Sequence, residues 1–583
     1  MSSLLQDLTS VLAVAGTGAA VLYAVYKSLL STPIPGIPYN KESANHILGD
    51  IPNIIAVSKA GGRKKLWCAD LTREHNAPLV QFFFGMGKKP AVVIADYREA
   101  RDILLRRNKE IIRGSLNCDS WFGVLPGQFI AMEDSHPQFK SARALVKDLI
   151  TPTFLHNISA PASYEMILDL ISLWDLKAKI AAGRPFDADG DISHMTFDIM
   201  MATAVGLPSG DSTTVQQRLR LQVASELPRG GKGDDTPIEF PKAPNPELLN
   251  SIYAIENVIG TVSGLPSARL FHFFNNNFNP KMKRIEKTKN ALLKFYTDQA
   301  IQRITSNPAR FKPSCAMDYI VSRELQAAET AGTKPDLHSL VVRDGLMGFI
   351  TGGQDSTHST LCFTVKHLGQ QPEIQKKLRD ALQTAYSDAY HHHRMPTAEE
   401  ITKTQVPYLD AFIQEVLRYT PPAIRVSRKA AVDMNILGHF IPKGTVLIFL
   451  IYGPTFNGKG WEVPEELRSE SSRNHREGFG DWSDSGDPAE EFRPERWLKP
   501  SEKEGGEPVY DGMAGPFMSF SSGKRGCWGQ RIAYLQLKLV ITLLVWNFEF
   551  GPIPEAIDDW EMHDEIFARP WKNFVRIKRV GSL

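Results

Sequence analysis

Ten residues near the C-terminal end, Phe520-Ser-Ser-Gly523-Lys-Arg525-Gly-Cys527-Trp-Gly529, bring together a thiol, a guanidinium and three glycines. A glycine at position 523 permits a turn that a Cβ would resist. Arg525 presents a fixed fork of donors suited to an anion such as a carboxylate. Cys527 precedes a helical repeat of Ile532, Leu535, Leu539 and Leu543, so its sulfur sits by a helix N-terminus. There the macrodipole and free amides favour a thiolate. Gly529 lets the backbone approach whatever the sulfur binds. None of the five cysteines forms a Cys-x-x-Cys pair, so the common structural zinc layouts are excluded.

Two further groupings could do chemistry. Glu415 and Arg418 stand three apart on a run, Tyr408 to Tyr419, that is otherwise apolar and ends in Thr-Pro-Pro. At that spacing they share a helix face. If buried, such a pair needs extra hydrogen-bond partners to offset desolvation. Gly352-Gly353-Gln354-Asp355-Ser356-Thr357 interrupts the helical pattern Leu340 to Leu368 with two adjacent glycines. Each costs roughly 1 kcal/mol against alanine, so local space or distortion is needed there. Taken singly, each grouping also has an ordinary reading: a core cysteine, a surface ion pair, a small-residue helix contact.

One thiolate is enough to hold haem iron as its proximal ligand. The 520–529 segment resembles the haem-binding loop of cytochrome P-450 proteins, Phe-x-x-Gly-x-Arg-x-Cys-x-Gly, matched by Phe520, Gly523, Arg525, Cys527 and Gly529. Glu415 and Arg418 match the family's Glu-x-x-Arg. Phe492-Arg-Pro494-Glu-Arg496-Trp497 resembles its Phe-x-Pro-Glu-Arg-Phe/Trp element. That resemblance makes Arg496 the third member of a network holding the haem-side core together. Arg428, in Arg428-Lys-Ala-Ala-Val-Asp433, resembles the arginine that reaches a haem propionate. Gly352 to Thr357 resembles the oxygen-activation motif, small-Gly-x-acid-Thr-Thr/Ser. It implies a groove for dioxygen and a proton relay through Asp355 with Ser356 or Thr357. Ser356 stands where the family usually has threonine, so an alcohol is retained. The family's Trp-x-x-x-Arg beside a propionate has no match: Arg143 to Lys147 lacks the tryptophan.

The elements that position these residues are mostly helical in pattern. Pro372 to Tyr390 opens with a proline and keeps Ile374, Leu378 and Leu382 on one face; Tyr408 to Tyr419 does the same with Leu409, Phe412, Ile413, Val416 and Leu417. Ala91 to Ile94 and Val446 to Tyr452 read as strands. Pro228 to Pro246 and Glu462 to Asp487 read as loops. Gly453 to Lys459 imitates a phosphate loop but lacks the following Ser or Thr and the helix. His391, His392 and His393 read as a solvated loop. The fold class is mainly α with a small β part (α+β), the fold that the cytochrome P-450 resemblance implies.

At the start, Leu8 to Tyr26 carries no charge and precedes Lys27. A helix over it reaches roughly 28 Å, close to the hydrocarbon thickness of a bilayer. The flanking charges put the bulk of the chain in the cytosol. Pro33, Pro35 and Pro38 then form a stiff hinge. The expected organisation is a membrane anchor and start of hinge over 1–32 and a single haem-thiolate catalytic domain over 33–583. The net charge of +2 gives no reason to expect nucleic acid as a partner.

As the resemblance implies, the chain is a monooxygenase closest to fungal membrane-bound members, with haem b on Cys527. It would use NADPH through a separate reductase and oxidise a small lipophilic substrate, such as a secondary-metabolite intermediate. It would sit at the endoplasmic reticulum membrane as a single-pass protein with a cytosolic catalytic domain. Reductase-independent peroxide rearrangement and non-enzymatic haem binding stay open as alternatives.

Overall fold

Ala91–Ile94 and Val446–Leu450, the two runs expected as strands, pair with each other in parallel, Ala91 opposite Val446 and Ile94 opposite Phe449. In the computed structural model they form the middle of a five-stranded sheet. Leu79–Phe82 flanks them on one side. Arg425–Ala430 and then Ile111–Ile112 flank them on the other. The central strands are buried along their whole length, which is why they read as unbroken apolar runs rather than alternating ones. The structure describes all residues except 1, 60–65, 225–234, 263–264, 266, 476–481, 483–487, 504–505, 563–565 and 582–583.

The chain divides into two compact units, Met1–Ile112 with Arg425–Arg476, and Arg113–Ile424 with Glu477–Leu583. The first holds the five-stranded sheet and the N-terminal helix, Ser2–Ser28. The second is mainly helical. Its central element is the helix Leu340–Gln370, buried around most of its circumference and capped by the Ser339 hydroxyl. The helices Asp189–Val205, Pro407–Tyr419 and Gln530–Asn547 pack against it. Trp174, Leu361, Phe412, Leu539 and Phe548 are in the largest apolar core.

The expected N-terminal anchor falls on a helix. The N-terminal segment does form one helix of 27 residues, about 40 Å long. That length suffices to span a bilayer, and Leu8 to Tyr26 within it carries no charge, although the side chains of 1–11 and 13 lie outside the described residues. Among the described residues, no helix is long and apolar enough to cross a membrane.

Two smaller expectations also shift. The helix from Pro372 ends at Ala385, and a short one, Ser387–His391, follows. The break falls at Tyr386, whose buried ring packs against Trp546. The loop over 462–487 carries two short helical pieces, Glu465–Leu467 and Glu470–Asn474. Arg468 pins this stretch through a buried two-pronged ion pair with Asp96, at 2.7 and 2.9 Å. Most of 476–487, and 228–234 of the other expected loop, lie outside the described residues.

Candidate active site

The 520–529 segment folds back on itself before the Gln530–Asn547 helix. The Cys527 N–H donates to the Phe520 carbonyl at 2.8 Å, and the Gly526 N–H to the Gly523 carbonyl at 2.9 Å. Gly523 has φ +72°, the left-handed conformation that the motif led us to expect. Of the five free cysteines, Cys527 alone is exposed. Its thiol still lies in a recess: the surrounding protein pushes its pKa up, opposed by a backbone hydrogen bond from Gly529. Burial thus opposes the thiolate expected at this helix terminus, and a bound metal ion is the charge that would keep the sulfur ionised.

Arg525 meets a carboxylate of the protein itself. Its Nε donates to Asp134 Oδ1 at 2.6 Å and its Nη2 to the Met132 carbonyl at 2.9 Å. Phe139 lies under the guanidinium at 3.8 Å. Nearby, Arg113 is the charge left over. Its Nε is buried with no hydrogen-bond partner. Burial first, and the Arg525 cation as well, hold its pKa down to about 10. Arg143 lies over the Trp528 ring at 4.6 Å. A haem fits this donor set. A lone recessed thiol suits the iron, and an under-compensated guanidinium suits an acidic substituent.

The two glycines of the central helix have separate causes. A Cβ on Gly353 would stand 2.4 Å from Met200 Sδ, so close packing demands glycine there. A Cβ on Gly352 would meet nothing within 4 Å. Gly352 therefore borders open space, and the Ser356 hydroxyl returns to its carbonyl at 2.8 Å. Thr357, one residue on, is buried and donates to Gln536 Oε1 at 3.4 Å. Asp355 is fully buried. Of the two candidate alcohols, Ser356 is the one at the open side.

The profile of the Cytochrome P450 family matches residues 57–471 and 487–575. The chain belongs to the cytochrome P450 family. It is 32% identical to cytochrome P450 monooxygenase TRI13 of Fusarium sporotrichioides, over 96% of this chain and 97% of the relative. It is 31% identical to cytochrome P450 monooxygenase GME11363 of Pestalotiopsis microspora, covering 96% and 98%. It is also 31% identical to cytochrome P450 monooxygenase xilC of Penicillium rubens, covering 96% and 95%. The protein is a P450 monooxygenase, an oxidoreductase of the class that carries haem iron on a thiolate and takes electrons from a redox partner.

In this P450 the Glu415 network is fully buried. Glu415 accepts from Arg418 at 2.7 and 2.8 Å and from Arg496 at 3.2 Å, and all three side chains are 0% exposed. The Arg493 N–H and the Trp497 indole donate to the same carboxylate at 2.7 and 2.9 Å. The carbonyls of Ala489 and Glu491 take up the Arg418 guanidinium. Trp482 then lies over both guanidinium groups, 5.3 Å from Arg418 and 4.5 Å from Arg496. Trp482 was missed because it lies in a stretch, Glu462 to Asp487, that reads as a loop; the family profile also leaves 472–486 unmatched. Arg428 belongs to the other compact unit, where it is buried on a strand and donates to the Ser427 carbonyl at 2.8 Å. Asp134 and Arg113 were also missed; neither lies in a patterned stretch.

Proposed function

We propose that this P450 takes electrons from NADPH through a separate reductase and inserts one oxygen atom from O2 into a small lipophilic organic substrate. Haem b bound at Cys527 would supply the redox chemistry, the thiolate's push favouring O–O cleavage. The chain has no paired cysteines for covalent haem attachment, which supports a haem held only by Cys527 and its surroundings. Arg113, in the same compact unit as Cys527, is the cation we assign to a propionate. The observation that carries the reading is Ser356 at the open side of the helix, next in the chain to the fully buried Asp355. A positioned alcohol with an acid close by passes protons to a reacting group. The full-length similarity to fungal monooxygenases supports a role in fungal secondary metabolism. Reconstitution with a P450 reductase, NADPH, labelled dioxygen and a panel of lipophilic substrates tests this. One label per product is expected. Turnover of hydroperoxides without NADPH would replace the reading with peroxide rearrangement.

Ser356→Ala is expected to leave haem and substrate binding intact while product per NADPH falls and hydrogen peroxide rises. Positioned proton transfer is worth about 10²–10⁴-fold. Water substitutes in part, so a loss of about tenfold is expected. Thr357→Ala should uncouple less, since that hydroxyl is committed to Gln536. Parallel measurement of NADPH, peroxide and product checks the order. The reverse order makes Thr357 the working alcohol.

We also propose that the body is held at the endoplasmic reticulum membrane, on its cytosolic side. Leu12, Val14, Val21, Leu22 and Val25 of the N-terminal helix are exposed. In the second unit, the helix Ala268–Phe278 turns His272 inward and leaves Leu270, Phe273, Phe274 and Phe278 exposed. Aromatic residues suit the bilayer interface. Removing residues 1–26 should therefore leave a folded haem protein that still floats in part with lipid vesicles. Complete solubility without detergent would remove the second contact.

A further inference from the structure

The cation nearest to Cys527 in the chain is already engaged. Arg525 lies two residues before it, so their Cα atoms are no more than about 7 Å apart. All three nitrogens of the guanidinium donate to one short stretch, 129–134. Nε gives to Asp134 Oδ1 at 2.6 Å, Nη2 to the Met132 carbonyl at 2.9 Å and Nη1 to the Phe129 carbonyl at 3.3 Å. The Phe139 ring covers one face of the group at 3.8 Å.

The two carbonyls orient Arg525 but carry no net charge. Asp134 is the group that cancels its charge, and the pair is shielded from water: 7% of the Arg525 side chain and 15% of that of Asp134 are exposed. The carboxylate is itself held at both oxygens. Oδ2 accepts from the Arg113 N–H at 3.4 Å, and the Lys524 ammonium stands 3.8 Å from Oδ1. Lys524 is half exposed, so salt and water screen it. The same region steadies the residue that follows the cysteine. The Phe129 ring meets Trp528 edge-on at 6.3 Å, and Arg143 lies over that indole at 4.6 Å. Cys527 is thus bracketed by two residues that both rest on 129–143. A charge left unpaired beside a redox group shifts its potential: a cation favours the reduced state and an anion the oxidised one.

We propose that Asp134 is a positioning residue that sets the reduction potential of the haem held at Cys527. It acts through Arg525, fixing the guanidinium and cancelling its charge beside the sulfur. The inference rests on the haem-thiolate reading of Cys527. It also separates the roles of two arginines. Arg525 is committed to the protein, and Arg113, whose Nε has no hydrogen-bond partner, is left for an acidic substituent.

Titration of the holoenzyme against redox dyes reads the potential from the spectra of its oxidised and reduced forms. Asp134→Asn keeps the shape of the side chain and removes its charge. The potential should rise, with the ferrous fraction at a fixed dye potential up several-fold. Arg525→Gln removes the other charge and should lower it. The double variant should return close to the parent, and Asp134→Glu, which keeps the charge, should stay there. All should retain the thiolate-type band of the reduced, carbon-monoxide-bound protein. A pair that only braced the loop would not move the potential in opposite directions. Parental potential in either single variant overturns the proposal. So does a shift of both in the same direction, or a double variant displaced as far as either single one. If Asp134→Asn sheds its haem, Arg525→Gln decides by the same rule; if both shed it, the pair is a brace and the proposal falls. A parent without the thiolate-type band defeats the haem-thiolate reading itself, and the inference with it.

Discussion

Cys527→Ala is expected to abolish the thiolate-type absorption band of the reduced, carbon-monoxide-bound protein completely. The reason is positional. Cys68, Cys118, Cys315 and Cys362 are all buried, and none is in the 520–529 loop. Cys315 accepts from Arg303 at 3.3 Å, and Cys68 from Arg425 at 3.2 Å. The loop itself should survive, because its turn is held by backbone bonds from Cys527 and Gly526 rather than by the thiol. Circular dichroism of the variant should therefore match the parent while the band is gone. A thiolate-type band that persists in the variant would assign the sulfur elsewhere.

Glu415→Ala should be the most destabilising single substitution on the helical unit. It removes the carboxylate that receives Arg418, Arg496, the Arg493 amide and the Trp497 indole. Two guanidinium groups would remain buried without their counter-ion. Breaking a buried pair in this way costs about 3–5 kcal/mol. Trp482 cannot compensate, since a cation–π contact is worth about 2 kcal/mol at best. Reduced melting temperature and low haem content are the expected readouts. Parental melting would contradict a burial that the structure gives as complete.

What could be read in advance was local. The loop turn at Gly523, the face shared by Glu415 and Arg418, and the strand character of Ala91 to Ile94 and of Val446 to Leu450 each depend on residues close in the chain. The parallel pairing of those two strands, more than 350 positions apart, was not legible. Gly352 and Gly353 were rightly marked as needing space, although only the fold separates the one that faces Met200 from the one that faces open space. The partners that decide the electrostatics come from far along the chain. Asp134 reaches Arg525 across 391 positions, and Arg569 reaches His358 across 211. No periodicity encodes such meetings. The N-terminal helix was legible for the same reason as the loop turn, since its length and the lack of charge over Leu8 to Tyr26 belong to one continuous run.

The placement of Trp482 ties it to Gly515. A Cβ on Gly515 would fall 1.8 Å from the Trp482 ring, deep inside the van der Waals radius. The segment unmatched by the family profile thus holds a side chain that requires a glycine more than thirty positions downstream. Single substitutions at the two sites therefore have a fixed order: the indole must shrink, giving up its place over Arg418 and Arg496, before a side chain can enter at 515.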